Sequence, residues 1–195
     1  DNYAAKGAVV EREFGPGVVT ARFKTVYEGE TYAIDKVEWF AFFGEHVYVN
    51  LASANAVYPF ASRETAASNY EEAVLCVQAD ATLHLGPGTY PVNKTQYLSV
   101  PMTVVSDEGP ARTILDLSAS GNWATPQAVV SSDSGVTIDG IGFKTARSWN
   151  HGGAISMSAG TVTNCVFTDC LGYTANRGGA VYATGGHVVD CLFEG

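Results

Sequence analysis

Gly152-Gly153-Ala154-Ile155 returns as Gly178-Gly179-Ala180-Val181, and the stretch behind it returns too: Thr163-Asn164-Cys165-Val166-Phe167 stands against Val189-Asp190-Cys191-Leu192-Phe193. Both halves are displaced by the same 26 residues. Each copy reads as a short apolar strand, a Gly turn, a second apolar strand and a loop. A unit this short cannot bury its own apolar face and must stack on a neighbour. The pattern predicts parallel β coils in which residues at one repeat position form a column. Cys165 and Cys191 share such a position, so they stack about 4.8 Å apart. Cysteine packs as a small apolar residue, and parallel Cβ vectors converge poorly for a disulfide, so a ladder of free thiols is the first expectation and a disulfide the second. Asn150 and Asn176 are also 26 apart, each two residues before its Gly-Gly pair. They read as a ladder of hydrogen-bonded side chains along the stacking axis.

Upstream of these copies, Val129-Val130, Val136-Thr137-Ile138 and Ile141-Gly142-Phe143 begin the regular coils. Before them come Thr82 to Leu85, the turn Gly86-Pro87-Gly88-Thr89-Tyr90, then Tyr97 to Val100, Met102 to Val105 and Thr113 to Leu117, all read as strands. Val47-Tyr48-Val49 reads as the first strand of the stack. Residues 64–78 read as a capping helix, because Ala66, Ala67, Tyr70, Ala73, Val74 and Val77 recur at helical spacing, with Ser62 as its N-cap. Residues 1–46 lack the repeat. Ala8 to Val10, Val18 to Tyr27, Tyr32 to Ile34 and the alternating run Val37 to Phe43 predict a small antiparallel β unit. The expected organisation is a β unit over 1–46, which packs on or precedes a stack over 47–195. The chain stops at Glu194-Gly195 inside a coil, which predicts a fragment of a longer repeat protein with no C-terminal cap.

Composition bounds the function. The 195 residues are 46% hydrophobic and 16% charged with 21 glycines, which suits a turn-rich β protein. A net charge of −9 argues against nucleic acid or an anionic membrane as partner, and no apolar run is long enough to span a bilayer. The four cysteines form no CxxC pair and the four histidines show no ligand spacing, so no metal and no cofactor are expected. A glycosidase needs two carboxylates across the scissile bond. Asp116, Asp139 and Asp190 read instead as turn residues, with Asn164 interrupting the column that Asp139 and Asp190 would share. A lyase needs a base beside a Ca²⁺-holding carboxylate cluster, and Lys144, Arg147 and Arg177 have no such cluster in sequence. An ice-binding face wants a Thr-x-Thr ladder, and Thr161-Val162-Thr163 is followed by His187-Val188-Val189, so none is expected. No catalytic residue is assigned. Trp149, His151, Tyr173 and Arg177 gather on one loop rim and form the candidate ligand-binding set, since aromatic and polar groups together grip sugar rings.

Taken in order, Tyr48-Val49, the 64–78 segment, Leu83 to Tyr90 with its Gly-Pro-Gly-Thr-Tyr, Thr103 to Ser106, Arg112-Thr113-Ile114-Leu115-Asp116 and the Gly-Gly-Ala units carry a family likeness. Residues 47–195 resemble the start of a right-handed parallel β-helix protein of the pectate-lyase-like superfamily, in particular secreted or surface repeat proteins of bacteria. The Gly-Gly-Ala-Ile tetrapeptide is similar to the repeat of chlamydial polymorphic membrane proteins, whose companion Phe-x-x-Asn reads here Phe167-Thr168-Asp169-Cys170. The resemblance implies an all-β solenoid with an N-terminal capping helix and an extracellular or cell-surface location. It supports three functional readings. The first is a non-catalytic structural or adhesive module that binds polysaccharide or host glycan. The second is the entry portion of a polysaccharide lyase or glycoside hydrolase whose active site lies largely elsewhere. The third is an assembly segment that self-associates through its open C-terminal coil.

Overall fold

The computed structural model describes residues 9–15, 18–27, 30–38, 44–118, 126–131, 135–148, 152–173 and 178–195. Its contacts divide the chain into two compact units, Asp1–Phe42 and Phe43–Gly195. In the first unit, β1 (Val9–Gly15), β2 (Val18–Tyr27) and β3 (Glu30–Glu38) form an antiparallel sheet in the order β1-β2-β3. Val10 pairs with Phe23 and Phe23 with Ile34, so one register runs across all three strands. The third expected strand, Tyr32 to Ile34, is the middle of the longer β3, which also takes in Val37; residues 39–43 of the fourth lie outside the described residues.

The second unit is nearly all β, and its sheets are parallel. Its strands are β4 (His46–Val49), β5 (Ala81–Leu85), β6 (Gly88–Pro91), β7 (Met102–Ser106), β8 (Thr113–Asp116), β9 (Val129–Ser131), β10 (Val136–Asp139) and β11 (Gly142–Lys144). They continue as β12 (Arg147–Ser148), β13 (Ile155–Met157), β14 (Thr161–Thr163), β15 (Val166–Thr168), β16 (Leu171–Gly172), β17 (Val181–Ala183), β18 (His187–Val189) and β19 (Leu192–Glu194). One sheet runs β18-β14-β10-β7-β5-β4, a second β19-β15-β11-β8-β6 and a third β17-β13-β9, with β12 and β16 paired alone. Neighbours in each sheet come from successive passes of the chain.

The pairing register creates inward columns. Val47, Leu83, Val104, Ile138, Val162 and Val188 line up in the first sheet. Tyr90, Leu115, Phe143, Phe167 and Phe193 line up in the second. The three phenylalanine rings stack face to face, 4.9 and 4.8 Å between centroids and 7° between planes. The buried members of these columns, from Val47 to Val162 and from Tyr90 to Phe167, form one apolar core with Ile155 and Val129 of the third sheet. The same columns emerge at β18 and β19, where Val188 and Phe193 are exposed. Burial of each inward residue comes from strands on both sides of it.

Two kinds of corner hold the units at one pitch. Gly140, Asn164 and Asp190 follow paired strands at equivalent places, and all have left-handed backbone with φ of 68°, 52° and 52°. Thr145 and Asp169 do the same after β11 and β15, with φ of 58° and 53°. Asn and Asp accept this conformation because their short side chains bond locally. The Gly-Gly pairs do something else. A Cβ on Gly152 would run into the backbone of Ile155 and Tyr182, and one on Gly153 into the carbonyl of Gly179. The close approach lets Gly153 N–H donate to Gly179 O at 2.7 Å and Ala154 N–H to Ala180 O at 2.9 Å.

The capping helix expected over residues 64–78 is corrected. Only α1 (Tyr70–Val74) is α-helical, and its N-cap is Asn69, whose Oδ1 accepts from Glu71 N–H at 2.7 Å. Ser62 instead closes a turn, its carbonyl accepting from Thr65 N–H at 3.2 Å. Ala67 is extended and bridges to Val49: Asn50 N–H donates to Ala67 O at 2.7 Å, and Ala67 N–H to Tyr48 O at 2.9 Å. With Tyr48 N–H donating to Phe60 O at 2.9 Å, irregular chain rather than helix satisfies the outer edge of β4. Ala66 and Ala67 are buried as the helical pattern demands, but by lying on a strand edge. Tyr97 to Val100 is likewise no strand, since only Tyr97 makes an isolated bridge, to Val130.

Candidate functional site

His46-Val47-Tyr48-Val49 and Thr82-Leu83-His84-Leu85 alternate polar and apolar residues. Val47, Val49, Leu83 and Leu85 are buried, so His46, Tyr48, Thr82 and His84 take the opposite face of the sheet. The parallel register sets Tyr48 directly against His84. Their rings stack with centroids 4.8 Å apart and planes 15° apart. Nδ1 of His46 stands 3.1 Å from Nε2 of His84. Asp107, just past the end of β7, brings Oδ1 within 3.5 Å of Nδ1 of His84. Its two oxygens also accept from Nη1 and Nη2 of Arg63, the second at 3.1 Å. The Arg63 guanidinium carbon lies 5.2 Å from the centre of the Tyr48 ring, a cation–π distance. Five side chains from β4, β5, the 57–67 segment and the turn after β7 thus form one connected cluster.

The electrostatics follow from these contacts. The hydrogen bonds that Arg63 donates to Asp107 raise its pKa above the ordinary value. Arg63 is largely exposed, so the pair stabilises the fold by no more than about 1 kcal/mol. Burial lowers the His84 pKa below its ordinary value and His46 adds to that, while Asp107 opposes it. Beside the cluster, Tyr48, Asn50, Arg63, Pro87, Asp107 and Glu108 line a cavity of about 280 Å³. An aromatic ring, a guanidinium group and carboxylates can meet the ring face and hydroxyls of a sugar. Among the described residues, no group of three or more His, Cys, Asp and Glu side chains is placed to hold a metal ion.

Of the residues singled out in sequence, Trp149, Asn150, His151, Asn176 and Arg177 lie outside the described residues. Tyr173 follows β16, is half-buried, and its N–H donates to Ser148 O at 2.9 Å. Cys165 and Cys191 are free thiols in adjacent strand-end positions. Sγ of Cys165 lies 3.1 Å from Thr163 O, and Sγ of Cys191 lies 3.2 Å from Val189 O. Burial pushes the Cys165 thiol up to about 12, so it is no nucleophile at neutral pH.

One further expectation is corrected by register. Asp139 pairs with Thr163, which pairs with Val189, so Asp139 and Asp190 occupy different columns. Asp190 continues the Gly140 and Asn164 corner, and Asn164 Nδ2 donates to Asp139 Oδ1 at 2.9 Å. The register forms no Thr-x-Thr ladder among the described residues, only a single threonine column. Thr82, Thr103, Thr137 and Thr161 share one column, with His46 and His187 at its ends. It is one residue wide, since the neighbouring column reads Tyr48, His84, Val105, Asp139, Thr163 and Val189. Cross-strand threonine pairs of this kind stabilise sheets.

The cluster around His84 escaped sequence reading. Its one available signal was the shared alternation of residues 46–49 and 82–85, which pairs Tyr48 with His84 once the two runs are laid parallel. Comparison with known proteins found no matching family model, no matching curated protein and no matching solved structure.

Proposed function

We propose that residues 47–195 form a right-handed parallel β-helix that works without catalysis as an extracellular or cell-surface glycan-binding module. Three parallel sheets, each extended by successive passes of the chain, support the solenoid part of this reading. The location and the kinship with pectate-lyase-like repeat proteins rest on the resemblance carried by the ordered elements from Tyr48-Val49 to the Gly-Gly-Ala units. The observation that carries the binding role is the cavity bordered by Tyr48, Arg63, Asp107 and Glu108 on the outward side of the first sheet. The Tyr48 side chain offers an apolar wall and a hydroxyl, and the guanidinium and carboxylates offer directional hydrogen bonds to sugar hydroxyls.

A polysaccharide panel (pectin, alginate, chondroitin, mucin glycans) read by calorimetry and by product formation tests the reading. Binding without new reducing ends or unsaturated products is expected, with Tyr48→Ala weakening it at least about tenfold, the scale of one lost aromatic contact. Tyr173→Ala should leave binding unchanged. Turnover on any member would replace the module with an enzyme, and silence across the panel would remove the binding role.

A further inference from the structure

His46 and His84 are 38 residues apart in the chain, yet their facing nitrogens are 3.1 Å apart. Two neutral rings can share that gap through a single N–H···N hydrogen bond. The gap also matches two ligands of one cation. With metal–nitrogen bonds of roughly 2.0–2.1 Å, the nitrogens sit about 2.9 Å apart at a right angle and about 3.4 Å apart at a tetrahedral one.

The surroundings favour such use. A carboxylate facing one ring nitrogen draws the proton there and leaves the other nitrogen with its lone pair, the arrangement that orients metal-binding histidines. Asp107 Oδ1, 3.5 Å from Nδ1 of His84, is placed to do this, and it leaves Nε2 aimed at His46. The positive charge of Arg63 is matched by Asp107 through two hydrogen bonds. A cavity of about 330 Å³ bordered by Glu45, His46, Gln78, Asp80 and Thr82 leaves room for water beside His46.

We propose that His46 and His84 form a two-histidine site for a divalent transition metal of the zinc, nickel or copper type, with Asp107 as a positioning residue and water completing the coordination. Imidazole donors select these ions over Mg²⁺ and Ca²⁺, which prefer oxygen. Two protein ligands make a weak, exchangeable site rather than a structural one.

The test is calorimetric titration of the full chain with Zn²⁺ or Ni²⁺ alone, without any sugar, so that its outcome is separate from that of the glycan panel. One equivalent should bind. His46→Gln and His84→Gln should each abolish it, His187→Gln should not alter it, and Asp107→Asn should weaken it roughly 10–100-fold. Bound Cu²⁺ should show two nitrogen ligands by electron paramagnetic resonance in the wild type. Circular dichroism of each variant separates lost ligands from lost fold, and His46, on the exposed face, is the variant least coupled to folding. Absence of binding to the wild type, or wild-type affinity in either ligand variant, would overturn the site.

Discussion

Within the first parallel sheet, the early part of the chain and the late part solve the same pairing problem differently. Val47 pairs with Leu83, 36 residues on, Leu83 with Val104 after 21, and Val104 with Ile138 after 34. Ile138 then pairs with Val162 after 24 and Val162 with Val188 after 26. The inward column is continuous throughout. Register depends on which faces are buried, and the chain between strands can vary because loop closure costs rise slowly with length. The late units spend their few connecting residues on left-handed corners at Asn164, Asp169 and Asp190. The early units spend theirs on the 57–67 segment that covers β4 and on the turn that brings Asp107 to His84. Regularity builds the ladder, and departure from it builds the cluster.

That contrast can be broken most severely in the ladder. Phe167 is buried between the rings of Phe143 and Phe193, so Phe167→Ala should cost about 3–5 kcal/mol in chemical denaturation, far more than any single change in the cluster. Next comes an alkaline effect specific to the ladder. The Cys165 thiol is raised in the folded state from 9.0 to about 12. Its contribution is complete below pH 9 and is lost as pH rises through the folded value. A denaturation series from pH 8 to 12 should show this loss in the wild type and a flatter profile in Cys165→Ala.

In the early part, Asn69→Ala removes the acceptor for Glu71 N–H and should cost about 1 kcal/mol, a local loss around α1. The smallest effect belongs to the cluster. The His84 pKa is lowered in the fold, so its contribution is complete above the ordinary histidine value and is lost as pH falls through the folded one. His84→Gln should remove a modest decline in stability on acidification from pH 7 to 5 and leave the ladder intact.

What was legible in the sequence divides along the same line. The 26-residue offset exposed the late units because one residue type recurs at one position: Cys165 with Cys191, Phe167 with Phe193. The offset could not reveal that Asp139 and Asp190 belong to neighbouring columns, since β10 and β14 are spaced by 24 and not 26. Helical periodicity over 64–78 misled because buried positions at Ala66, Ala67, Tyr70, Ala73 and Val74 arise from two sources, an extended bridge and one short helical turn. The cluster was hidden because nothing repeats between β4 and β5. Only tertiary register brings Tyr48, His84 and Asp107 together, and no local pattern encodes a pairing across 36 residues.

The stacking of successive units is most directly tested by nuclear magnetic resonance couplings across individual hydrogen bonds. Leu192 N–H donates to Cys165 O at 2.9 Å, His187 N–H to Gly160 O at 2.9 Å and Val166 N–H to Ile141 O at 3.1 Å. Observed couplings for these three pairs would establish parallel stacking in the stated register. Couplings that join the same amides to other carbonyls, or amides that exchange as fast as in an unfolded chain, would contradict it.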